Sequence, residues 1–134
     1  MENKKIAHKF YKEQKIALLT LRGDIDLIDF MTAFVNAWSD PDYIADCKGI
    51  TDCRNCNFIF DETDIVKLIG MQKNSPKAIL NDWAVLVDNP KSTAAANIYH
   101  LMNSGHNMGL FSTWKAATAF IQTDIEEPEI EDVQ

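Results

Sequence analysis

The chain has 134 residues, of which 46% are hydrophobic and 25% charged, and its formal net charge is −7. These proportions are ordinary for a globular domain, and no apolar run approaches the roughly 20 residues that span a bilayer. No basic excess is present to replace phosphate counterions, so nucleic-acid binding is excluded. The N-terminus has no long apolar stretch after its lysines, which argues against a signal peptide and predicts a cytoplasmic location.

Two strand-like runs come first. Ile6–Tyr11 and Lys15–Leu21 are separated by three polar residues, which predicts an antiparallel hairpin. The second run is apolar on both alternating faces, as expected for a strand covered on both sides. Arg22-Gly23-Asp24 is predicted to form the turn that follows.

Helix-like and strand-like segments then alternate. The first helix is capped by Asp24 or Asp26 and carries one apolar stripe at three- and four-residue spacing. The stripe of this first helix consists of Leu27, Phe30, Met31, Phe34, Val35 and Trp38. Asp61 is the expected cap of the second helix. The predicted segments are a helix over Leu27–Trp38, a strand over Lys48–Asp52, a helix over Glu62–Gln72, a strand over Trp83–Asp88, a helix over Ser92–Asn103, a strand over Met108–Phe111 and a helix over Thr113–Gln122.

The order β-β-α-β-α-β-α-β-α predicts an α/β fold. We expect a mixed, mostly parallel five-stranded sheet covered by four helices, with right-handed crossovers.

The negative charge is concentrated at the C-terminal end. The last eleven residues contain six acidic residues and no Lys or Arg, and the rest of the chain carries 13 basic and 14 acidic residues. We therefore predict a single domain over residues 1–122, followed by an acidic, flexible tail over residues 123–134. A tail that binds a partner is the alternative.

Residues that could perform catalysis do not form a recognisable motif. His8, His100 and His106 are scattered, and the five glycines stand apart, so neither a catalytic triad nor a phosphate-binding loop is indicated. Cys53 and Cys56 have Cys-x-x-Cys spacing with Cys47 nearby, but a structural zinc site needs four ligands. We interpret these as ordinary reduced cysteines, with metal binding and redox activity as alternatives. The prediction is therefore a protein without catalytic residues, cofactor or bound metal.

Polar residues follow several predicted strands. In open parallel sheets, ligands bind outside the carboxyl ends of the strands. Arg54 and Lys91 are positioned to face an anion there, assisted by backbone N–H groups at helix starts. The alternative is that these residues only form turns and helix caps. The predicted ligand-binding residues are Asp52, Arg54, Asn89, Lys91, Ser92, Ser112 and Thr113.

A short apolar cluster lies in a predicted loop. Phe58, Ile59 and Phe60 precede the second helix. Exposed clusters of this kind mark contact surfaces, so they are the candidate surface for a protein partner or for self-association. Such a cluster is more often tucked into the core, and a contact surface is the alternative.

The order of elements resembles the STAS fold, and in particular the SpoIIAA-like (STAS/SEC14-type) group of small bacterial domains. The resemblance covers roughly residues 5–122. It implies a non-catalytic regulatory or protein-interaction module that binds a partner or forms a homodimer. The related lipid-transfer fold implies the alternative, a small anionic or lipid-like ligand at the carboxyl edge of the sheet. The matching stretches are Ile16–Gly23, Leu27–Trp38 with Asp40-Pro41, Gly49–Asp52, Trp83–Asp88 and Phe111–Ile121.

Phospho-switched antagonists of that family carry a Ser or Thr at the start of the second helix, after an Asp that closes the preceding strand. Asp52 matches this Asp, but Cys53 occupies the next position. Thr63 lies among three carboxylates, which repel a phosphate. The family's switch is therefore not carried over to this chain.

Overall fold

The computed structural model describes residues 4–44, 46–74, 82–102 and 107–128. They form six strands and four helices. In chain order the elements are β1 (Lys5–Tyr11), β2 (Ile16–Asp26), α1 (Leu27–Trp38), β3 (Lys48–Asp52), β4 (Cys56–Ile59), α2 (Glu62–Asn74), β5 (Trp83–Leu86), α3 (Pro90–Met102), β6 (Met108–Phe111) and α4 (Trp114–Phe120).

The sheet has the strand order β1-β2-β3-β5-β6. The β1 strand pairs antiparallel with β2, and the remaining pairs are parallel. This confirms the predicted α/β fold with a mixed, mostly parallel sheet and four helices. The sheet has one more strand than the five predicted, because β4 pairs with the second half of β2.

The β3 and β4 strands follow one another along the same side of β2. Thr20 pairs with Asp52 in β3, and Gly23 pairs with Cys56 in β4. Three residues, 53–55, therefore lie opposite two in β2, which is a bulge. Asn55 has a φ of 60°, and its carbonyl accepts a hydrogen bond of 3.0 Å from the Gly23 N–H.

The prediction of a turn at Arg22-Gly23-Asp24 is wrong, because β2 continues through these residues to Asp26. Their β4 partners satisfy the backbone hydrogen bonds that a turn would have left to water. Gly23 takes a φ of 87°, a left-handed conformation that suits glycine. Asp26 then caps α1 in a reciprocal capping box with Asp29.

Two hydrophobic clusters lie on opposite faces of the sheet. Alternate residues of β2 divide between them, with Leu19 and Leu21 in one cluster and Ile16 and Leu18 in the other. This confirms that β2 is buried on both sides. We call the face covered by α1, α2 and α3 the three-helix face, and the face covered by α4 the α4 face. Residues of α1 and α3 pack in the first cluster and α2 contacts both helices, whereas α4 contributes to the second.

The helix termini refine the predicted boundaries. Asp61 caps α2 as predicted, since its carboxylate accepts a hydrogen bond of 3.0 Å from the Asp64 N–H. The α3 helix begins two residues earlier than predicted, at Pro90, and Thr113 caps α4. The predicted end of α3 at Asn103 lies outside the described residues.

Candidate functional site

The bulge places a buried carboxylate between two arginines at the end of β3. Asp52 is 4% exposed. Arg54 donates from Nε and Nη2 to its two carboxylate oxygens at 3.0 and 2.9 Å, and Arg22 donates from Nη2 at 3.0 Å. We call these three residues the Asp52 cluster. Bidentate arginine–carboxylate pairs of this kind are strong and geometrically specific.

The electrostatics keep this cluster ionised. Burial alone would raise the pKa of Asp52, but hydrogen bonds from Arg54 and Arg22 outweigh it and hold the pKa below its usual range. The hydrogen bond with Asp52 in turn raises the pKa of Arg54. Asp52 balances only one of the two guanidinium charges, so the cluster alone keeps one excess positive charge.

The C-terminal segment, residues 123–128, supplies a further carboxylate. Glu127 accepts a hydrogen bond of 2.7 Å from Arg54 Nη2. Ile125 is 7% exposed and packs in the cluster of the α4 face. The Trp114 indole Nε1–H donates to the Ile125 carbonyl at 3.0 Å. Ile125 and Glu127 therefore hold this part of the predicted tail at the sheet, and the division of the chain at residue 122 stays a prediction.

Residues that follow β5 also hold the bulge and the start of β4 by hydrogen bonds. The Asn55 N–H donates to both carboxylate oxygens of Asp88, at 3.1 and 3.0 Å. Asn89 Nδ2 and Ser92 Oγ both donate to the Cys56 carbonyl, at 3.0 and 2.7 Å. Ser92 is fully buried, so its hydroxyl is closed to a ligand and holds α3 against β4.

A cleft of about 680 Å³ lies beside this network, where α3 begins. Of the seven predicted ligand-binding residues, Asn89 and Ser112 line it. Lys91 is exposed outside the lining, and the Thr113 hydroxyl accepts the Ala116 N–H at 3.1 Å as a helix cap. The cleft is lined by Val87, Asp88, Asn89, Pro90, Thr93, Ala94, Asn97, Leu110 and Ser112.

This cleft is a poor site for an anion. Pro90 opens α3 without an N–H group, and the Ser92 N–H donates to Asn89 Oδ1 at 2.8 Å. Asp88 contributes a carboxylate to the lining. The predicted cation, Arg54, is held by Asp52 and Glu127. The role of Arg54 and Lys91 in binding an anion at the strand ends therefore stays a prediction.

The structure divides the cluster Phe58–Phe60 between the core and the surface. Phe58 is 3% exposed and stacks on Phe60 with ring centroids 4.9 Å apart, and both rings contact Phe30 of α1. Strand alternation turns Phe58 toward the three-helix face and Ile59 away from it. Ile59 is 50% exposed and remains available to a partner.

The outer side of α1 is apolar and open. Ile28 is 72% exposed and Val35 is 48% exposed, and Met31 between them is partly exposed. Ala33 and Ala37 are the buried residues of this helix. Met31 and Val35 belong to the apolar stripe that the sequence predicts for this helix. The signal that this prediction missed is Ile28, which makes α1 apolar over more than one side.

The three cysteines are reduced and buried. A hydrogen bond with Cys56 and burial together raise the pKa of Cys53, and burial raises the pKa of Cys47 to about 11. Such thiols are unreactive near pH 7. His8 bonds Asp40 at 2.6 Å, whereas His106 lies outside the described residues. In the described part of the chain, no three His, Cys, Asp or Glu side chains are arranged to hold a metal.

Comparison with known proteins supports the fold. No protein-family model and no curated protein matches the chain. A solved structure is similar, that of an uncharacterised protein of the DUF3478 family with a SpoIIAA-like fold from Shewanella loihica PV-4. The match has a TM-score of 0.57 and 10% sequence identity, and covers 89% of this chain and 94% of that one. The fold of this chain is therefore SpoIIAA-like, as the order of its elements predicted. Within the described ranges, no helix is long and apolar enough to cross a membrane.

Proposed function

We propose that this chain is a non-catalytic SpoIIAA-like module that binds another protein chain through the outer side of α1. The observation that carries the proposal is the row of Ile28, Met31 and Val35, which we call the α1 ridge. A cytoplasmic location is part of the same proposal.

The spacing of the α1 ridge suits a contact surface. Residues three and four positions apart lie on the same side of a helix, so the three side chains form one continuous row. Two of them are large and about half or more exposed. Apolar side chains grouped in this way mark interaction surfaces more often than single exposed ones do.

A second copy of this chain is the first partner to test. A row of apolar side chains on one helix can pack on its own copy about a two-fold axis, which gives a self-complementary interface. The chain outside its acidic end is nearly balanced in charge, with 13 basic and 14 acidic residues, so repulsion between two copies is weak there.

The chemistry of the core supports the non-catalytic part of the proposal. Asp52 is ion-paired, and the raised pKa of Cys53 keeps its thiol protonated at neutral pH. Catalytic groups, by contrast, usually have pKa values that leave their reactive form populated near pH 7.

Replacing Val35 by Lys places a charge in the α1 ridge without touching the core. Leu101→Lys is the matched control, because Leu101 is 71% exposed on α3. We expect native mass spectrometry to show a homodimer, or a complex with a second protein purified from the native cells. Val35→Lys should abolish the complex and Leu101→Lys should retain it. If both variants kept the complex, or both lost it, the proposal would be contradicted.

A small ligand in the cleft at the start of α3 is a second candidate function. The 680 Å³ cleft, lined by both apolar and polar side chains, favours it. Acyl-chain compounds should then be screened for a rise in Tm, with nucleotides as the anionic ligands that the cleft is expected to reject. A true ligand should lose its effect in Ala94→Phe, which fills the cleft. No stabilisation at saturating concentration, or the same shift in both proteins, would contradict this candidate.

A further inference from the structure

The C-terminal segment covers a site that is incomplete without it. Arg22 and Arg54 bring two positive charges to the end of β3, and Asp52 balances one of them. The side chains of both arginines are 21% exposed. Removing Glu127 from this place leaves a partly buried positive charge without its counter-ion, and such a charge favours a replacement carboxylate.

The segment is held mainly by side-chain contacts. Between described residues, no backbone–backbone hydrogen bond ties residues 124–128 to the rest of the chain. Three contacts hold it in the described part of the chain: the packing of the Ile125 side chain, the hydrogen bond from the Trp114 indole N–H and the Arg54–Glu127 ion pair. Glu127 is still 47% exposed, so it reaches the cluster from the solvent side. A second peptide can compete for contacts of this kind without rearranging the sheet.

The junction of the segment with α4 is a helix C-terminal cap. Gln122 has a φ of 57°, the left-handed conformation usually taken by glycine at the end of a helix. The Gln122 and Thr123 N–H groups close the helix on Ala119 and Thr118. Because these bonds close the end of α4 before the docked part of the segment begins, the segment can be released without unwinding the helix.

We propose that residues 123–128 are a displaceable strap, and that the surface beneath them binds an extended acidic peptide of a partner protein. The strap surface consists of Arg54, Trp114 and the Ile125 site in the α4-face cluster. It selects an apolar side chain two positions before a Glu or Asp, because Ile125 and Glu127 have that spacing. Charge complementarity argues for this partner, since the surface offers one unbalanced guanidinium beside an apolar site.

The Trp114 indole N–H reports directly on the strap, because it donates to the Ile125 carbonyl. Its NMR signal should shift in the full-length variant Ile125→Ser/Glu127→Gln, whose strap is weakened. The probe is a synthetic peptide of residues 123–134. Added in excess, it should return the signal to its position in the unmodified protein. The unmodified protein should bind it at least about tenfold more weakly, because its own strap competes at high effective concentration.

A control peptide with the same Ser and Gln replacements should bind the weakened variant at least about tenfold more weakly than the native peptide. Arg54→Met in that variant should remove the preference for Glu over Gln at the position of Glu127. Equal binding of the two peptides, or no change in the Trp114 signal, would overturn the proposal. If the double variant does not fold, Glu127→Gln alone keeps Ile125 and should show a smaller shift and weaker competition with the peptide. No effect of the peptide there would also overturn it.

Mass measurement identifies the source of the acidic segment. A dimer of the unmodified protein that Glu127→Gln abolishes would assign the surface to a second copy, and would overturn the partner-protein assignment. The α1 ridge lies on the opposite face of the sheet, so these results are independent of the proposed function.

Discussion

The two faces of the sheet are covered very differently. On the three-helix face, 14 of the described residues form the buried cluster, and α2 contacts both α1 and α3. On the α4 face the buried cluster has eight described residues, under a helix of seven residues and the C-terminal segment. The first cover is made of long helices, and the second depends in part on a segment without helix or strand.

This difference assigns separate roles to the two faces. The cluster on the three-helix face is buried beneath the helices, and the exposed apolar side chains on this side of the molecule lie on the outer side of α1. The α4 face has an ion cluster at its rim that Glu127 completes. Burial of Ile125 contributes roughly 2 kcal/mol, and an exposed ion pair such as Arg54–Glu127 at most about 1 kcal/mol. Stability should thus reside mainly on the first face, and local opening on the second.

The largest effect is expected on the three-helix face, from Phe58→Ala. It should lower the free energy of unfolding by about 3–5 kcal/mol, because it leaves a cavity between the rings of Phe30 and Phe60. Ile59→Ala, next along the strand but 50% exposed, should cost less than about 1 kcal/mol. Urea denaturation measures both. Similar losses would place Phe58 outside the core.

Asp52→Asn tests the ion cluster at the rim of the α4 face. We expect a loss of about 2–3 kcal/mol at pH 7, since two partly buried guanidinium groups lose their anion. The pKa of Asp52 is lower in the folded chain than its unfolded value of about 3.9. The stabilisation is therefore complete above pH 4–5 and lost as the pH falls through the folded pKa.

Urea denaturation of both proteins from pH 7 to pH 3 checks this prediction. The difference between unmodified protein and Asp52→Asn should shrink in acid. A difference that grows as the pH falls would contradict the ionised state of Asp52.

Gly49 and Gly70 allow the same substitution, Gly to Ala, to be compared at a crowded position and at an open one. A Cβ at Gly49 would collide with the indole ring of Trp83, which is fixed by its hydrogen bond of 2.7 Å to Thr51. Gly49→Ala should therefore cost about 1–3 kcal/mol. Gly70→Ala meets nothing within 4 Å and should gain up to about 1 kcal/mol from helix propensity. Thermal unfolding of the two variants should show Tm shifts of opposite sign.

A loss of about 1–2 kcal/mol is expected for Ile125→Ala on the α4 face. The segment can detach, so the loss is limited to what its docking contributes. Ile25→Ala is the counterpart on the three-helix face, where Ile25 is fully buried, and should cost about 2–5 kcal/mol. Urea denaturation compares them. A loss for Ile125→Ala as large as that for Ile25→Ala would make the segment an integral part of the core.

Local patterns were sufficient to predict most of the fold. The two-sided apolar run of β2, the Asp26 cap and the alternation of later segments all agree with the structure. The failures come from contacts distant along the chain. Arg22-Gly23-Asp24 has turn composition, but β4, more than 30 residues later, provides it with a strand partner.

The candidate site was less predictable for the same reason. The residues at the strand ends were identified, but their partners were not. Arg54 is neutralised by Glu127, 73 residues later, and Ser92 is tied to the Cys56 carbonyl, 36 residues earlier. Composition predicted a flexible acidic end, and it cannot reveal that one isoleucine within that end is buried on the sheet.

Photo-crosslinking tests the central claim, a protein-binding surface on α1, most directly. A photoreactive phenylalanine derivative is introduced at Val35 in one variant and at Leu101 in another, and both are irradiated in the native cells. We expect a discrete crosslinked protein, either a second copy or another chain, at position 35 and none at position 101. No adduct at position 35, or the same adducts at both positions, would contradict it.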